Sequence, residues 1–235
     1  MGLFCQYERL LYTGAHPLNT VKPVKNLYFV RHGETEWNAI RRMQGQWNSN
    51  LNEKGQRQAD INGRLLQKLN IEALFASPLD RTRQTADIIN QYLSLPIQFD
   101  ERIMEWDCGD WSGFLYKEIQ EQWPQEWAAL EADRFFYRGP DCENYPDMIA
   151  RSLPFLEELK AHPADNIAIV SHGMIGKTMV STLLDFTPEQ TLSFSQSNDM
   201  VFQVTLVDDR VSVQHYLGGD GPFEGHTADA SEQPV

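Results

Sequence analysis

Cysteine is scarce in this 235-residue chain: three residues, at positions 5, 108 and 142, with no pair at CxxC spacing. An odd, scattered set excludes a disulfide framework and a zinc knuckle, and it fits a reduced, cytoplasmic setting. Basic residues are also few. Twenty Lys and Arg face 33 Asp and Glu, giving a net charge of −13, which argues against nucleic acid or an anionic membrane as partner because both would be repelled. No run of about 18 apolar residues is present to cross a bilayer. The first residues lack the basic-then-apolar pattern of a secretory leader. Neither an HExxH pair nor an Asp-rich loop occurs, so no metal site and no cofactor are expected.

What the chain does contain is one pattern used twice. Leu27-Tyr28-Phe29-Val30 runs into Arg31-His32-Gly33, and Ile167-Ala168-Ile169-Val170 runs into Ser171-His172-Gly173. Short apolar runs of β-branched and aromatic residues, bounded by polar ones, read as strands buried on both faces. Such strands belong to parallel sheets, which bind ligands at their carboxyl ends. Two histidines far apart in sequence are therefore expected to meet in space. The glycine after each lets the backbone approach closely whatever the imidazole touches.

The remaining pattern alternates strand and helix. A helix opens at Asn52-Glu53 with Ile61, Leu65 and Leu69 on one stripe, a strand spans about 73–76, and a second helix runs from about Arg81 to Leu93. A short strand is expected at 97–100, a Pro154-kinked helix at about 147–161, another helix at 174–184, and a hairpin of 201–207 with 211–217 around Asp208-Asp209. The expected fold is α/β: a three-layer, doubly wound, mostly parallel sheet with helices on both faces. Residues 1–25 read as an extension, 26–217 as one catalytic domain, and 218–235 as a loose acidic tail. Within the domain, 113–146 carries Phe114, Tyr116, Trp123, Trp127, Phe135, Phe136 and Tyr137. It reads as an aromatic-rich, partly helical cover over the ligand end, either burying its own apolar face or touching substrate.

Arg31, His32 and His172 sit at strand ends, and Arg81 opens a helix just beyond Ser77-Pro78. Two guanidinium groups and two imidazoles converging there suit a tetrahedral dianion, because arginine offers a fork of donors matched to phosphate oxygens, and a helix N-terminus adds backbone donors. A phosphate pocket needs the fewest assumptions.

These residues, with Glu34-Thr35 and Trp37-Asn38 after Arg31-His32-Gly33, resemble the signature of the histidine phosphatase superfamily, also called the phosphoglycerate mutase-like family. Gln44-Gly45 with Leu51-Asn52-Glu53-Lys54-Gly55 is similar to its second block. Ser77 to Ala86 is similar to its third, Glu105 to Gly113 to its acid-bearing block, and Ser171-His172-Gly173 to its last. The resemblance implies that His32 is a nucleophile carrying a transient phosphoryl group. It implies that Arg31, Arg81, His172 and Asn38, together with Gln44 and Gly45, hold the phosphate, and that Glu105 is the general acid and base. No metal is required by that scheme. Asn48, Asn50, Trp106 and Ser112 depart from the family pattern, and Cys108 stands where a larger apolar residue is usual.

The expected activity is a phosphomonoesterase acting on a small phosphorylated molecule. A mutase or a non-catalytic phospho-ligand module are the alternatives. The phosphatase is favoured because 113–146 carries only Lys117, Arg134 and Arg138 as cations, and because Gly139-Pro140-Asp141-Cys142-Glu143-Asn144, with Arg151 in step, resembles the phosphatases' Gly-Glu-Ser turn.

Overall fold

The computed structural model describes residues 24–226. Seven strands form one sheet: β1 (Val24–Arg31), β2 (Ala73–Ala76), β3 (Ile97–Phe99), β4 (Asn166–Ser171), β5 (Met200–Val207), β6 (Arg210–Leu217) and β7 (Asp220–Glu224), in the order β3-β2-β4-β1-β5-β6-β7. β3, β2, β4 and β1 pair in parallel, while the β1–β5, β5–β6 and β6–β7 pairs are antiparallel. Only β5 and β7 therefore oppose the common direction, and the sheet is mixed but mostly parallel.

Eight helices surround it: α1 (Glu36–Ala39), α2 (Glu53–Gln67), α3 (Asp80–Leu93), α4 (Tyr116–Gln122), α5 (Pro124–Ala132), α6 (Tyr145–Ala161), α7 (Gly173–Leu183) and α8 (Pro188–Leu192). The period of two along the central strands sorts their side chains into two layers. Tyr28, Val30, Leu74, Ala168 and Val170 pack with Leu65, Leu66 and Ile89 of α2 and α3. Leu27, Phe29, Ile167 and Ile169 face Leu156 of α6, Ile175 and Met179 of α7, and the buried residues of 106–145. This is the expected three-layer α/β arrangement.

Register explains how distant residues meet. Arg31 pairs with Ser171 and Ala76 with Val170. The ladder continues one residue further, with His32 N–H donating to the Ser171 carbonyl (3.0 Å) and Ser77 N–H to the Val170 carbonyl (3.0 Å). His32, His172 and the Ser77-Pro78 turn that precedes Arg81 thus leave three adjacent strands at one edge.

Four details differ from the sequence expectation. Residues 218–224 are not part of a loose tail: Gly218 and Gly219, both at positive φ, turn the chain back so that β7 pairs with β6. A Gly-rich, acidic composition hid a tight turn, since glycine serves turns and flexible segments alike. The rest of that tail, from 227, lies outside the described residues, as does the extension up to 23, although Val24 and Lys25 already belong to β1. Ile61 is 37% exposed, so the buried stripe of α2 is Ala59, Asn62, Leu65 and Leu66 instead. Between β1 and α2 the chain forms α1, whose start is fixed by a reciprocal Thr35–Asn38 capping box. Finally, α6 begins at Tyr145, capped by Asn144, and runs through Pro154.

Candidate active site

The carboxyl edge of the sheet opens into a cavity of about 450 Å³ whose wall includes Arg31, His32, Asn38, Gln44, Gly45, Arg81 and Glu105, within the size range of small-molecule sites. Seven of the eight candidate residues meet there. The eighth, His172, is fully buried directly behind them, its ring 5.3 Å from that of His32 in an edge-on arrangement.

The tautomers of both imidazoles follow from their partners. His32 Nδ1 lies 2.8 Å from the Gly33 carbonyl, which can only accept, so Nδ1 carries the proton and Nε2 the lone pair. Burial, then Arg81 and Arg31 nearby, hold the His32 pKa well below the ordinary histidine range. It is a neutral base at neutral pH. For His172 the order is reversed: Arg81 Nε donates to Nδ1 (3.1 Å), so Nε2 donates to Ser77 Oγ (2.7 Å). Burial, Arg81 and His32 likewise lower its pKa.

Arg81 is 1% exposed and donates in three directions: to His172, to the Trp47 carbonyl (2.7 Å) and to the Gly45 carbonyl (2.6 Å). Burial lowers its pKa to about 10, so it stays cationic near neutrality. It therefore fixes the 45–47 loop and the second imidazole at once. Gly45 has φ +50°, and a Cβ there would lie 2.3 Å from Cys108 Sγ; only glycine fits. Cys108 is fully buried beside Ser112 Oγ, with its thiol pushed up to about 12 by burial, consistent with packing and not with nucleophilic chemistry. Arg31 donates to the Gln196 carbonyl (2.7 Å). The Asn38 amide oxygen accepts from the Thr35 backbone N–H and hydroxyl, so its NH2 is the group left to donate, and Asn38 lines the cavity.

Glu105 is positioned by a helix end. His172 occupies the N-cap of α7 but its ring is turned to Arg81 and Ser77, so it makes no side-chain cap. Glu105 takes that place: Oε1 accepts from Ile175 N–H (3.0 Å) and Trp106 N–H (2.9 Å), and Oε2 from Met174 N–H (3.2 Å). The loop that carries it is braced by Arg151, which donates to the Arg102 and Met104 carbonyls (2.9 and 3.0 Å) and grips Glu143 at both oxygens (2.8 and 2.7 Å). The turn at 139–144 and Arg151, noticed in sequence for their spacing, are one structural unit.

The glycines after the two histidines work differently from expectation. A Cβ on Gly33 would meet the Gly55 carbonyl at 2.2 Å, and one on Gly173 would lie 3.2 Å from the Arg31 guanidinium. They let the Gly55 backbone and the Arg31 side chain pack against these two turns. Sequence reasoning also missed Asn198, whose amide donates to the His32 carbonyl (2.6 Å), and Lys177 on the cavity wall. The polar run Ser193 to Asn198 ahead of β5 was the available signal for the first. Within the 113–146 cover, Phe135 is buried, while Tyr116, Tyr137 and Tyr145 line the cavity.

The pattern of the "Histidine phosphatase superfamily (branch 1)" matches residues 27–217. The chain belongs to this superfamily. Among curated relatives, phosphoserine phosphatase 1 of Hydrogenobacter thermophilus is 32% identical over 173 residues, 73% of this chain and 82% of that protein. Mouse 6-phosphofructo-2-kinase/fructose-2,6-bisphosphatase 1 is 28% identical over 178 residues, 76% of this chain but only 36% of the longer protein. The solved structure of Bacillus stearothermophilus YhfR superposes with a TM-score of 0.76 at 30% identity, covering 84% of this chain and 98% of that one. Among the described residues no helix is long and apolar enough to cross a membrane, and no three His, Cys, Asp or Glu are grouped to hold a metal ion.

A stability consequence follows for this histidine phosphatase fold. Both buried histidines have folded-state pKa values below the unfolded one, so below about pH 6.5 the unfolded chain binds protons that the native state does not. Stability is full above that pH and is lost as pH falls, by up to about 1.4 kcal/mol per pH unit for each histidine. Carboxylates with lowered values, such as Glu34 and Asp100, add their loss only below about 4.5. Denaturant unfolding between pH 7.5 and 5 should show the decline already in place at pH 5.5; a flat profile over that interval would contradict the neutral assignment.

Proposed function

We propose that the protein is a metal-independent phosphomonoesterase that hydrolyses a small phosphorylated metabolite through a phosphohistidine intermediate on His32. One observation carries the proposal: the Gly33 carbonyl fixes the proton on Nδ1 of a neutral, buried imidazole, which leaves a nucleophilic Nε2 beside two arginines at a cavity wall. In the first step Nε2 attacks phosphorus, and the bond to the leaving oxygen breaks. Arg31, Arg81 and the Asn38 amide stabilise the charge on the equatorial oxygens. Glu105 acts as general acid toward the departing alkoxide and then as general base toward the water that attacks the phosphohistidine. Phosphate leaves and the imidazole returns to its starting form.

His172 enters as a positioning residue. With both ring nitrogens engaged by Arg81 and Ser77, it orients the guanidinium rather than presenting a donor of its own. The chemistry draws its positive charge from the arginines and asks for no metal ion or cofactor.

The test is a rapid alkaline quench during turnover of an aryl phosphate in the presence of EDTA, followed by peptide mass analysis. One acid-labile phosphoryl group on the peptide containing His32, with turnover unaffected by the chelator, is the expected result. Turnover without any adduct, a phosphoserine adduct, or loss of activity on chelation would each overturn the scheme.

A further inference from the structure

Arg151 directs its whole guanidinium at the backbone around Glu105 and at Glu143. Nε and Nη2 hold the Glu143 carboxylate (2.8 and 2.7 Å), Nη1 donates to the Arg102 and Met104 carbonyls (2.9 and 3.0 Å), and Nη2 also reaches the Glu105 carbonyl (3.4 Å). Glu143 continues the seam. Its carboxylate accepts from Asp107 N–H (3.0 Å), its carbonyl from the Trp106 indole (2.5 Å), and its own N–H donates to the Asp107 carbonyl (2.8 Å). Residues 104–108 form no helix or strand. The backbone on both sides of Glu105 is therefore held by this pair and not by a ladder of its own.

The Glu105 carboxylate has N–H partners of its own, from Trp106, Met174 and Ile175. Such bonds favour the ionised form and weaken on an oxygen that carries a proton. Their hold on the group thus changes between the acid step and the base step. A grip on the backbone does not depend on that proton. Glu105 and Glu143 are among the residues that line the cavity; Arg151 is not. Its influence on the chemistry runs through Glu105.

We propose that Arg151, paired with Glu143, is a positioning residue for the general acid and base. It holds the Glu105 backbone so that the carboxyl meets the leaving oxygen. This rests on the role given to Glu105 in the function proposed above. A good leaving group departs as its anion and gains little from a well-placed acid, whereas a basic one needs the proton. Loss of the brace should therefore slow the reaction most for poor leaving groups. The competing role is a staple for the fold alone: each side chain of the pair is 20% exposed, and loss of such a staple would lower stability and slow every substrate alike.

The experiment compares kcat/KM for p-nitrophenyl phosphate and phenyl phosphate, two esters of similar shape whose leaving groups differ strongly in basicity. Glu105→Gln sets the scale: it should slow phenyl phosphate by about 10²–10⁴-fold, the usual contribution of acid–base catalysis, and p-nitrophenyl phosphate far less. Arg151→Met should repeat that asymmetry in weaker form. A displaced reacting group costs up to about 10²-fold, so phenyl phosphate should slow about ten- to hundredfold and p-nitrophenyl phosphate by less than about threefold. Glu143→Gln, which keeps the volume and loses a carboxylate oxygen, should show the same pattern and serves if Arg151→Met does not fold. Arg151→Lys keeps the charge without the fork and should recover part of the phenyl phosphate rate. Equal slowing of both esters in Arg151→Met and Glu143→Gln, or a lowered melting temperature with unchanged rates, overturns the positioning role; the phosphatase function stands if Glu105→Gln retains its asymmetry. Absence of asymmetry in Glu105→Gln itself, or no turnover of either ester by the wild-type enzyme, overturns the acid–base assignment and this inference together.

Discussion

His32→Ala should lower kcat/KM for an aryl phosphate by roughly four orders of magnitude or more, the scale seen when the nucleophile of a covalent mechanism is removed. The effect is large because nothing near His32 can replace it. His172 is the nearest imidazole, but its Nδ1 accepts from Arg81 and its Nε2 donates to Ser77, so it has no lone pair to offer. Cys108 is fully buried with a thiol that stays protonated. The fold should survive: the lost side chain makes one hydrogen bond, to its neighbour's carbonyl, and truncation leaves a small polar cavity beside the pocket. Circular dichroism and a thermal melt of the variant would show a near-native structure. Unchanged turnover would refute the nucleophile assignment, whatever the substrate.

Arg81→Leu should differ in kind, losing both activity and stability. The guanidinium is buried and bonds three acceptors from two parts of the chain, the Gly45 and Trp47 carbonyls of one loop and His172 Nδ1. An apolar replacement strands all three, and a buried acceptor left without a partner costs about 1–3 kcal/mol. A loss of several kcal/mol measured by denaturant titration is expected even after relaxation lets water reach some of them. On activity, removal of one preorganised charge at a developing phosphoryl transition state costs on the order of 10²–10³-fold, and the shifted 45–47 loop adds to this. Arg81→Lys keeps the charge but cannot reach three acceptors with a single ammonium, so it should recover part of the stability and little of the rate. A stable, active Arg81→Leu variant would show that this residue is solvated charge near the site and nothing more.

Much of this was legible in the chain because the carrying features are local. Apolar runs ending at Arg31-His32 and Ser171-His172 announced buried parallel strands, and their carboxyl ends are where ligands bind in such sheets. Ser77 to Ala86 gave the helix that presents Arg81. Glu105 was found only through the family resemblance: nothing in its neighbourhood shows that α7, nearly 70 residues later, lacks a cap and borrows this carboxylate. The cavity wall was harder still. Lys177 lies on a helix that reads from sequence as ordinary packing, and its exposure to the cavity depends on where Tyr145 of another helix settles. β7 was missed because a Gly-Gly turn and a loose tail share one composition.

The order of strands in the sheet has a kinetic meaning. β4 is among the later elements of the chain, yet it slots between β2 and β1, which are both made long before it. Until that insertion occurs the two early strands lack their common neighbour, and loop-closure entropy must be met before the parallel pairings reward it. His32 and Arg81 are then separated by an open gap with His172 absent from it. The arrangement that brings His32, Arg81 and His172 together is thus complete only once β4 lies between β2 and β1.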